Sequence, residues 1–365
     1  MKKVIVKSQQ GSYPVTIGDS YLDKLQQQLE KSNLLSSLFL IIDENVANHH
    51  LSAIQSAVSG YKGKISYSLL PAGERTKSYT HLQKIHERLL NYNFGRDTTL
   101  IAIGGGVTGD LAGYAAASYM RGLPLVHIPT TLLAMIDSAI GGKTGINFKG
   151  KKNIIGAFYQ PRLVFVDTMF LSSLPKREFN SALGELIKYG LISNKDFYAF
   201  LEDYFEKIKS SDRRTINKAI IESIKIKDGV VEKDEFEQSG VRKILNLGHT
   251  FAHAIESNLG FRIKHGEAVT AGIVCALFLS NKLGLLSSGK LDQFLSLPKK
   301  IGVPRIIKSV DEANMIEAMY SDKKNRGDKI LFVLLSDIGK IVVDAPAEKW
   351  DIVFAIKRMK DFISV

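Results

Sequence analysis

The stretch LIAIGGGVTGDLAG, residues 100–113, decides the fold class of this chain. Its first four residues are apolar and typical of a buried strand, and its last residues are small and typical of a closely packed helix. The glycines between them let a ligand approach the main chain, and the amides at the N-terminus of the following helix suit a pyrophosphate. A tight strand-to-helix turn that binds nothing fits the same letters.

Gly104, Gly106 and Gly109 satisfy the GxGxxG pattern of dinucleotide-binding folds. However, no acidic residue follows about 20 positions later at the end of a next strand, where Rossmann folds place one for the ribose. Asp43, with Asn45 close behind it, ends an earlier apolar run and is a candidate for that role. Both residues fit a strand-end turn or a helix cap equally well. If a dinucleotide binds here, its arrangement is therefore a variant one.

Short apolar runs rich in β-branched residues alternate with helix-like stretches through the first half of the chain. The runs cover residues 38–43, 64–69, 99–103, 125–128 and 163–166, and helical spacing occurs near residue 26 and at residues 82–90 and 111–119. This alternation predicts βαβ units and a mainly parallel sheet, that is, a Rossmann-like α/β nucleotide-binding domain.

The second half carries apolar residues at helical spacing. The segments are residues 178–192, 197–208, 215–231, 248–258, 267–283 and 291–301. They predict an all-α C-terminal domain with one small hairpin formed by residues 329–335 and 339–343. We place the α/β domain at residues 1–175 and the helical metal- and substrate-binding domain at residues 176–365. Because no floppy linker separates them, we expect close packing and an active-site cleft between them.

Composition and charge limit the function classes. The 365 residues, 45% of them hydrophobic, suffice for about two domains and exclude disordered and fibrous classes. The formal charge of +12 suits an anionic partner, but the cations are spread along the chain, so we do not expect nucleic-acid binding. One cysteine excludes a disulfide framework. Without a signal peptide or an apolar stretch of about 18 residues, the sequence predicts a cytoplasmic protein that binds no membrane.

The segment LNLGHTFAHAIE carries the most specific chemical signal. His249 and His253 lie four residues apart, on one face of a helix, and His265 follows nearby. Zinc takes imidazole and carboxylate ligands, so this clustering favours a metal or acid–base site over isolated core histidines. Glu185, in an apolar helical segment, is a further candidate ligand, although an ion pair with Lys188 on the surface would also explain it. The spacing leaves open which two of the three histidines bind a metal.

Several cations stand next to glycines. Arg121, Lys143 and the lysines of residues 149–152 have this setting, which suits the gripping of phosphate oxygens. Each of them also fits a solvated loop charge. The segment GGKTG is similar to the end of a P-loop, but Asp137 stands where that motif requires its first glycine. We therefore exclude P-loop nucleotide hydrolysis.

These motifs occur together, in this order, in the 3-dehydroquinate synthase family of sugar phosphate cyclases, which the chain resembles over essentially its whole length. The segments that carry the resemblance are PAGERTK (71–77), GGGVTGD (104–110), SYMRG (118–122), IPTTLLAMIDS (128–138), GGKTG (141–145), KN (152–153), GELIK (184–188), NLGHT (246–250), His253, HGEA (265–268) and DKK (322–324).

The resemblance implies a homodimeric lyase of the shikimate pathway, which leads to chorismate and the aromatic amino acids. It implies NAD and a divalent metal, Zn²⁺ or Co²⁺, as cofactors. The implied substrate is 3-deoxy-D-arabino-heptulosonate 7-phosphate, which such enzymes convert to 3-dehydroquinate and phosphate. The implied cycle is transient oxidation at C5 by NAD, elimination of phosphate, re-reduction, and an intramolecular aldol closure.

The resemblance also implies residue roles. The metal ligands would be Glu185, His249 and His265. The NAD contacts would be Asp43, Asn45, Glu74, Lys77, Gly105, Gly106, Val107, Asp110, Thr130, Thr131, Lys143, Lys152, and the segment from Phe170 to Ser173. The catalytic and substrate contacts would be Asp137, Lys143, Asn153, Lys188, Arg242, Asn246, His253, one of Lys323 or Lys324, and Arg121, which would reach in from the partner subunit.

The chain departs from the family pattern in two places. The segment between Lys227 and Arg242 is one residue longer, which puts the shape of that loop and the substrate contact of Lys227 in doubt. Ser172 and Ser173 replace a lysine or glutamine followed by a threonine, so a hydroxyl is kept.

Three alternatives remain open. A sugar phosphate cyclase could act on sedoheptulose 7-phosphate or glucose 6-phosphate, but Arg242 and Asn246 match the dehydroquinate pattern. A polyol dehydrogenase of the glycerol dehydrogenase type would release NADH, but the phosphate-binding lysines argue against it. A non-catalytic basic protein that binds nucleic acid would require every motif above to be structural.

Overall fold

The structure is a computed structural model that describes residues 1–9, 11–320 and 329–363. The chain forms two compact units. The first unit comprises Met1–Pro175 and Ile216–Phe236, and the second comprises Lys176–Thr215 and the described residues from Glu237 onward. The expected domains were residues 1–175 and 176–365. The units differ from them because residues 216–236 belong to the first unit and not to the second. The domain division itself stays a prediction.

The first unit contains nine strands and four complete helices among the described residues. The strands are β1 (Lys2–Ser8), β2 (Gly11–Gly18), β3 (Ser37–Asp43), β4 (Lys64–Leu70), β5 (Thr98–Gly104), β6 (Leu125–Pro129), β7 (Lys143–Phe148), β8 (Lys151–Phe158) and β9 (Leu163–Asp167). The helices are α1 (Leu25–Lys31), α2 (Glu44–Ala57), α3 (Tyr79–Asn91) and α4 (Gly106–Ser118).

Seven of these strands form one sheet in the order β1-β2-β9-β6-β5-β3-β4, and only the β1–β2 pair is antiparallel. The five predicted apolar runs are β3, β4, β5, β6 and β9, so the mainly parallel sheet is confirmed. Neither β1 nor its partner β2 was predicted, because the apolar run of β1 has only three residues, 4–6, and lysines flank it. It also missed α2 and the β7–β8 hairpin.

The strand order reverses at β3, which places the expected binding crevice. The chain leaves β3 to form β4 on one side and returns to form β5 on the other. Ile42 at the end of β3 lies opposite Ile103 at the end of β5, so the two carboxyl ends are level. In open parallel sheets, ligands bind outside the carboxyl ends of the strands at such a switch point.

The second unit is helical, as the periodicity predicts. Its helices are α5 (Lys176–Ile192), α6 (Lys195–Lys209), α8 (His249–Asn258), α9 (His265–Lys282), α10 (Ser288–Ile301), α11 (Glu312–Tyr320) and α12 (Lys349–Phe362), and α7 (Arg213–Val231) belongs mostly to the first unit. Helix α9 is the centre of this unit. It is buried almost throughout and packs against α5, α8, α10 and α12, because an all-round apolar helix belongs in a core.

The predicted hairpin is present as β10 (Leu331–Asp337) and β11 (Lys340–Pro346). Asp337, expected in the turn, is the last residue of β10. Within the described part of the chain, no helix combines the length and the apolar character that crossing a membrane would need.

Candidate active site

Three candidate metal ligands of the second unit meet at one point. Glu185 lies on α5, and His249 and His265 are the first residues of α8 and α9. One ligand atom from each residue lies within 4.8 Å of the other two. The Nε2 atoms of His249 and His265 are each 3.4 Å from Oε1 of Glu185. Two imidazoles and one carboxylate are a donor set that catalytic zinc sites use, with a further position left for substrate.

A glycine adjoins each of these three ligands and lets the helices touch. A Cβ atom on Gly184 would lie 2.4 Å from the carbonyl oxygen of Gly266, so α5 and α9 are in direct main-chain contact beside Glu185 and His265. Gly248, which precedes His249, has a φ of +79°, and a Cβ there would lie 2.7 Å from the amide nitrogen of Ile273 on α9. The triad therefore depends on closely approaching backbones that no larger residue permits.

The charges of the triad are mutually compensated. Glu185 is buried and forms an ion pair with Lys188, which is also buried. Burial acts to raise the pKa of Glu185, but Lys188 and the two histidines hold it well below its ordinary value. Burial and Lys188 together lower the pKa of His249 to about 4. The alternative of a surface Glu185–Lys188 pair is thus wrong in its location, since both side chains are inside the protein.

The outward-facing nitrogens of both histidines have partners. Nδ1 of His249 lies 3.3 Å from the carbonyl oxygen of Leu247, and Nδ1 of His265 lies 3.4 Å from Oε2 of Glu256. Burial acts to lower the pKa of His265, but its contacts with Glu185 and Glu256 outweigh burial and raise the pKa to about 10. His253 lies against the ligands, with its ring 5.6 Å from that of His249 and 6.3 Å from that of His265. The geometry thus groups His265, not His253, with His249 and Glu185.

The candidate NAD residues of the first unit lie at the carboxyl ends of adjacent parallel strands. Asp43 ends β3, Gly105 follows β5, Thr130 follows β6, and Phe170 lies in the turn after β9. Gly106, Val107 and Asp110 lie in the first turns of α4, and Asn45 lies in the first turn of α2. The neighbouring position of the strands in the sheet explains why residues so distant in sequence share one edge.

Asp43 is a helix cap, one of the two roles that the sequence left open. Its side chain accepts a hydrogen bond from the amide of Asn45 at 2.9 Å. Burial raises the pKa of Asp43, and the amide of Asn45 and the hydroxyl of Thr108 on α4 oppose the shift. The cap therefore fixes the start of α2 at the switch point.

Lys77 connects several candidate residues behind the glycine turn. Its ammonium group contacts both Asp110 and the side-chain oxygen of Asn153. Asn147 donates a hydrogen bond of 2.7 Å to Glu74. Burial raises the pKa of Asp110, and Lys77 opposes that shift.

The segment that follows β9 is fixed by a contact that the sequence did not predict. Nε2 of His50 on α2 lies 2.7 Å from Oγ of Ser173, and the ring of His50 meets that of Phe170 edge to face at 5.0 Å. Oγ of Ser173 also donates to the carbonyl oxygen of Phe170 at 3.2 Å. The hydroxyl expected to be retained at Ser173 thus ties its turn to α2.

The glycine-flanked cations do not all lie in loops as expected. Lys143 is exposed at the start of β7, and Lys152 lies on β8. Gly145 and Gly156 are paired across this hairpin, where a Cβ on Gly145 would lie 2.6 Å from the carbonyl oxygen of Ile155. Gly145, the last glycine of GGKTG, therefore serves strand pairing.

The remaining candidates are distributed as follows. Asp137 accepts two hydrogen bonds of 2.7 Å from Lys227, through its main-chain oxygen and its carboxylate. Arg121 is exposed after α4, with a φ of +66°. Thr131 accepts a hydrogen bond from the amide of Ala134, and Asn246 ends a short 3₁₀ segment before α8. Lys323 and Lys324 lie outside the described residues.

Two family models cover most of this chain. The model for the 3-dehydroquinate synthase N-terminal part matches residues 67–181, and the model for the C-terminal part matches residues 182–325. A 3-dehydroquinate synthase of Acidithiobacillus ferrooxidans is 42% identical over 347 residues, 94% of this chain and 94% of that protein. The chain belongs to the 3-dehydroquinate synthase family.

Solved structures of related cyclases have the same fold. A 2-deoxy-scyllo-inosose synthase complexed with carbaglucose-6-phosphate, NAD⁺ and Co²⁺ has a TM-score of 0.89 and 27% identity, and the match covers 97% of this chain and 99% of that one. A 2-epi-5-epi-valiolone synthase from Streptomyces hygroscopicus subsp. jinggangensis 5008, with NAD⁺ and Zn²⁺ bound, has a TM-score of 0.87 and 24% identity over 99% and 98% of the two chains. At 24% identity, the similarity to the valiolone synthase shows a shared fold and nothing more.

The segment between Lys227 and Arg242, which is longer than the family pattern, has side-chain contacts at Glu235 and again at Arg242. Glu235 is buried and accepts hydrogen bonds from the amide of Gln9 at 2.6 Å and from the side chain of Gln160 at 2.7 Å. In the second unit, Nε of buried Arg242 lies 3.7 Å from a carboxylate oxygen of Glu237. The expected reshaping of the loop stays a prediction.

Proposed function

We propose that this chain is a 3-dehydroquinate synthase, which converts 3-deoxy-D-arabino-heptulosonate 7-phosphate to 3-dehydroquinate and phosphate. One observation carries the proposal: a member of this family places Glu185, His249 and His265 with their ligand atoms within 4.8 Å of one another. The reaction is a lyase reaction, because the C5 hydroxyl is oxidised and later re-reduced and only the loss of phosphate and the aldol closure remain.

We propose Zn²⁺ or Co²⁺ as the metal and NAD as the second cofactor. The metal would supply Lewis-acid polarisation of a substrate oxygen, and NAD would take up and return one hydride. Glu185, His249 and His265 would hold the metal. Buried Lys188 compensates the charge of Glu185, and His253 next to the ligands would face the substrate.

NAD would bind along the carboxyl ends of the parallel strands. The open side of Gly105 and the N-terminal amides of α4 would receive the pyrophosphate, because unpaired amides and the helix dipole favour an anion there. The other contacts proposed are Asp43, Asn45, Glu74, Lys77, Gly106, Val107, Asp110, Thr130, Thr131, Lys143, Lys152, Phe170 and Ser173.

Cations would hold the phosphorylated, carboxylated substrate and neutralise the departing phosphate. Lys143, Lys188 and Arg121 are proposed for the phosphate, and Arg121 would come from the partner subunit of a homodimer. The other proposed substrate contacts are Asp137, Asn153, Arg242, Asn246 and one of Lys323 or Lys324. We propose a cytoplasmic location because the chain has a single, buried cysteine and so no structural disulfide.

The substitution Lys143→Ala tests the phosphate role. Loss of one pre-positioned charge should lower kcat/KM by about 10²-fold. The Kd of NAD should rise by much less, below about tenfold, because Lys143 is one of many proposed NAD contacts. The matched control is Lys151→Ala, which removes an exposed lysine from the same hairpin. Equal losses in turnover and NAD affinity would contradict the role.

A substrate panel tests the function as a whole. Purified protein with Zn²⁺ or Co²⁺ and catalytic NAD should release phosphate and form dehydroquinate from the heptulosonate phosphate. It should release none from glucose 6-phosphate or sedoheptulose 7-phosphate. Preferential turnover of either alternative sugar would assign the chain to another cyclase activity.

A further inference from the structure

Glu256 is a buried carboxylate directly behind the metal triad. It is 3% exposed and lies on α8. His249, His253 and Glu256 stand at positions i, i+4 and i+7, which places all three on one face of that helix. A buried carboxylate costs several kcal/mol unless it is paired, so its location needs an explanation.

The contact of Glu256 with His265 supplies that explanation. Its Oε2 atom lies 3.4 Å from Nδ1 of His265, while Nε2 of the same ring lies 3.4 Å from Glu185. A carboxylate beside Nδ1 favours the tautomer that carries the proton on Nδ1 and leaves the lone pair on Nε2. The imidazole is thereby oriented with its donor atom toward Glu185 and His249.

The two histidines of the triad are supported differently. Nδ1 of His249 faces a main-chain oxygen, that of Leu247, and its side chain is 12% exposed. The His265 side chain is 35% exposed and faces the carboxylate of Glu256. The more exposed ring has more freedom to rotate, and it is the one held by a charged group. Carboxylates behind metal-binding histidines fix the ring and raise its basicity.

We propose that Glu256 is a positioning residue of the metal site, which fixes the Nδ1–H tautomer and the orientation of His265 and strengthens it as a ligand. This rests on the proposed function, because it takes Glu185, His249 and His265 as metal ligands. Glu256 itself touches neither substrate nor metal in this account.

The test is a titration of metal-free protein with Co²⁺, whose d–d absorption reports the number and geometry of its ligands. Glu256→Ala should weaken Co²⁺ binding by about 10- to 100-fold and change the spectrum. Glu256→Gln should lose less Co²⁺ affinity, because its amide oxygen can still accept a hydrogen bond from Nδ1 of His265. Nitrogen-15 NMR of the Zn²⁺-loaded protein should find the proton of His265 on Nδ1 in the parent and in Glu256→Gln, and a mixture of Nδ1–H and Nε2–H rings in Glu256→Ala.

Glu267→Gln is the matched control, because Glu267 is on the first turn of α9, next to His265. Its carboxylate pairs with Arg177 at 2.8 and 2.9 Å and caps the helix through the amide of Lys264. This variant should lower the melting temperature but change the Co²⁺ affinity by less than about twofold.

Co²⁺ affinity, spectrum and tautomer that stay at parental values in folded Glu256→Ala would overturn the proposal. If Glu256→Ala does not fold, Glu256→Gln decides. Loss of the Nδ1–H tautomer of His265 in that variant, with an unchanged Co²⁺ affinity, would overturn the proposal, because the tautomer would then not affect metal binding. Failure of the proposed function has a different signature: His249→Ala would then bind Co²⁺ like the parent.

Discussion

Gly105 at the end of β5 and Gly184 on α5 belong to the two candidate sites, and each makes room for something different. The nearest atoms to a Cβ on Gly105 would belong to the side chain of Thr131, at 3.0 Å, and no main-chain atom is among them. A Cβ on Gly184 would lie 2.4 Å from the carbonyl oxygen of Gly266. The first glycine leaves space for a ligand to approach the main chain, whereas the second lets two helices touch so that their side chains converge.

The two sites are therefore built from different parts of the chain. The nucleotide crevice consists largely of main-chain amides and strand ends, so its shape follows from the sheet. The triad consists of side chains from three helices whose contact depends on glycines. A methyl group added at Gly105 should therefore impair ligand binding, whereas a methyl group added at Gly184 should destabilise the fold itself.

The largest effect is expected for His249→Ala, which removes a metal ligand without changing the helix contacts. Turnover should fall by at least about 10³-fold, and the protein should no longer retain metal. Activity and metal content measured on the same sample check this. Ser257→Ala, at an exposed position of α8, is the control and should behave like the parent. A fully metallated, active His249→Ala variant would show that the ligand is assigned wrongly.

Gly184→Ala should have the next largest effect, because α5 and α9 must separate to accept the methyl group. We expect a loss of about 3 kcal/mol in the free energy of unfolding, with weaker Co²⁺ binding. Urea denaturation and Co²⁺ titration measure both. Gly289→Ala in α10, where a Cβ meets nothing within 4 Å, should be close to neutral. Parental stability of Gly184→Ala would refute the helix-contact explanation.

Gly105→Ala should have a smaller effect, confined to the nucleotide. The backbone angles of Gly105, φ −79° and ψ −168°, are open to alanine, so the fold should survive. The Kd of NAD should rise by about 10- to 100-fold. Gly109→Ala is the control, because its Cβ would make an ordinary contact of 3.5 Å with His127. A stability loss like that of Gly184→Ala, with NAD affinity unchanged, would remove the distinction between the two regions.

Five strands of the sheet could be predicted from apolar and β-branched runs. Burial alone does not separate them from the two that were not predicted, since β4 is mostly exposed and β2 is mostly buried. β5 is buried at all seven positions and reads as a continuous apolar run, whereas β1 is mostly exposed and interrupted by lysines. In the GGKTG segment the pattern did not indicate the role of the last glycine. Its glycines suggest a flexible loop, but Gly145 is required by the close pairing of β7 with β8.

Helical spacing alone could predict the triad only in part, and the family resemblance supplied its full membership. Helical spacing identified the face that carries His249 and His253, but His265 joins the triad through the contact between α5 and α9, which no local spacing encodes. Glu256 stands three residues after His253 on the same face, so its position carried a signal that went unused. His50 had no such signal, because its contact with Ser173 joins residues 123 positions apart.

The fate of NAD during turnover distinguishes a cyclase, which recycles NAD, from a dehydrogenase, which consumes it. Protein, metal and a large excess of the heptulosonate phosphate over NAD are mixed, and dehydroquinate and absorbance at 340 nm are followed together. We expect many dehydroquinate molecules to form for each NAD present, with no lasting accumulation of NADH. One NADH accumulated for each substrate molecule consumed would contradict this expectation and identify a dehydrogenase.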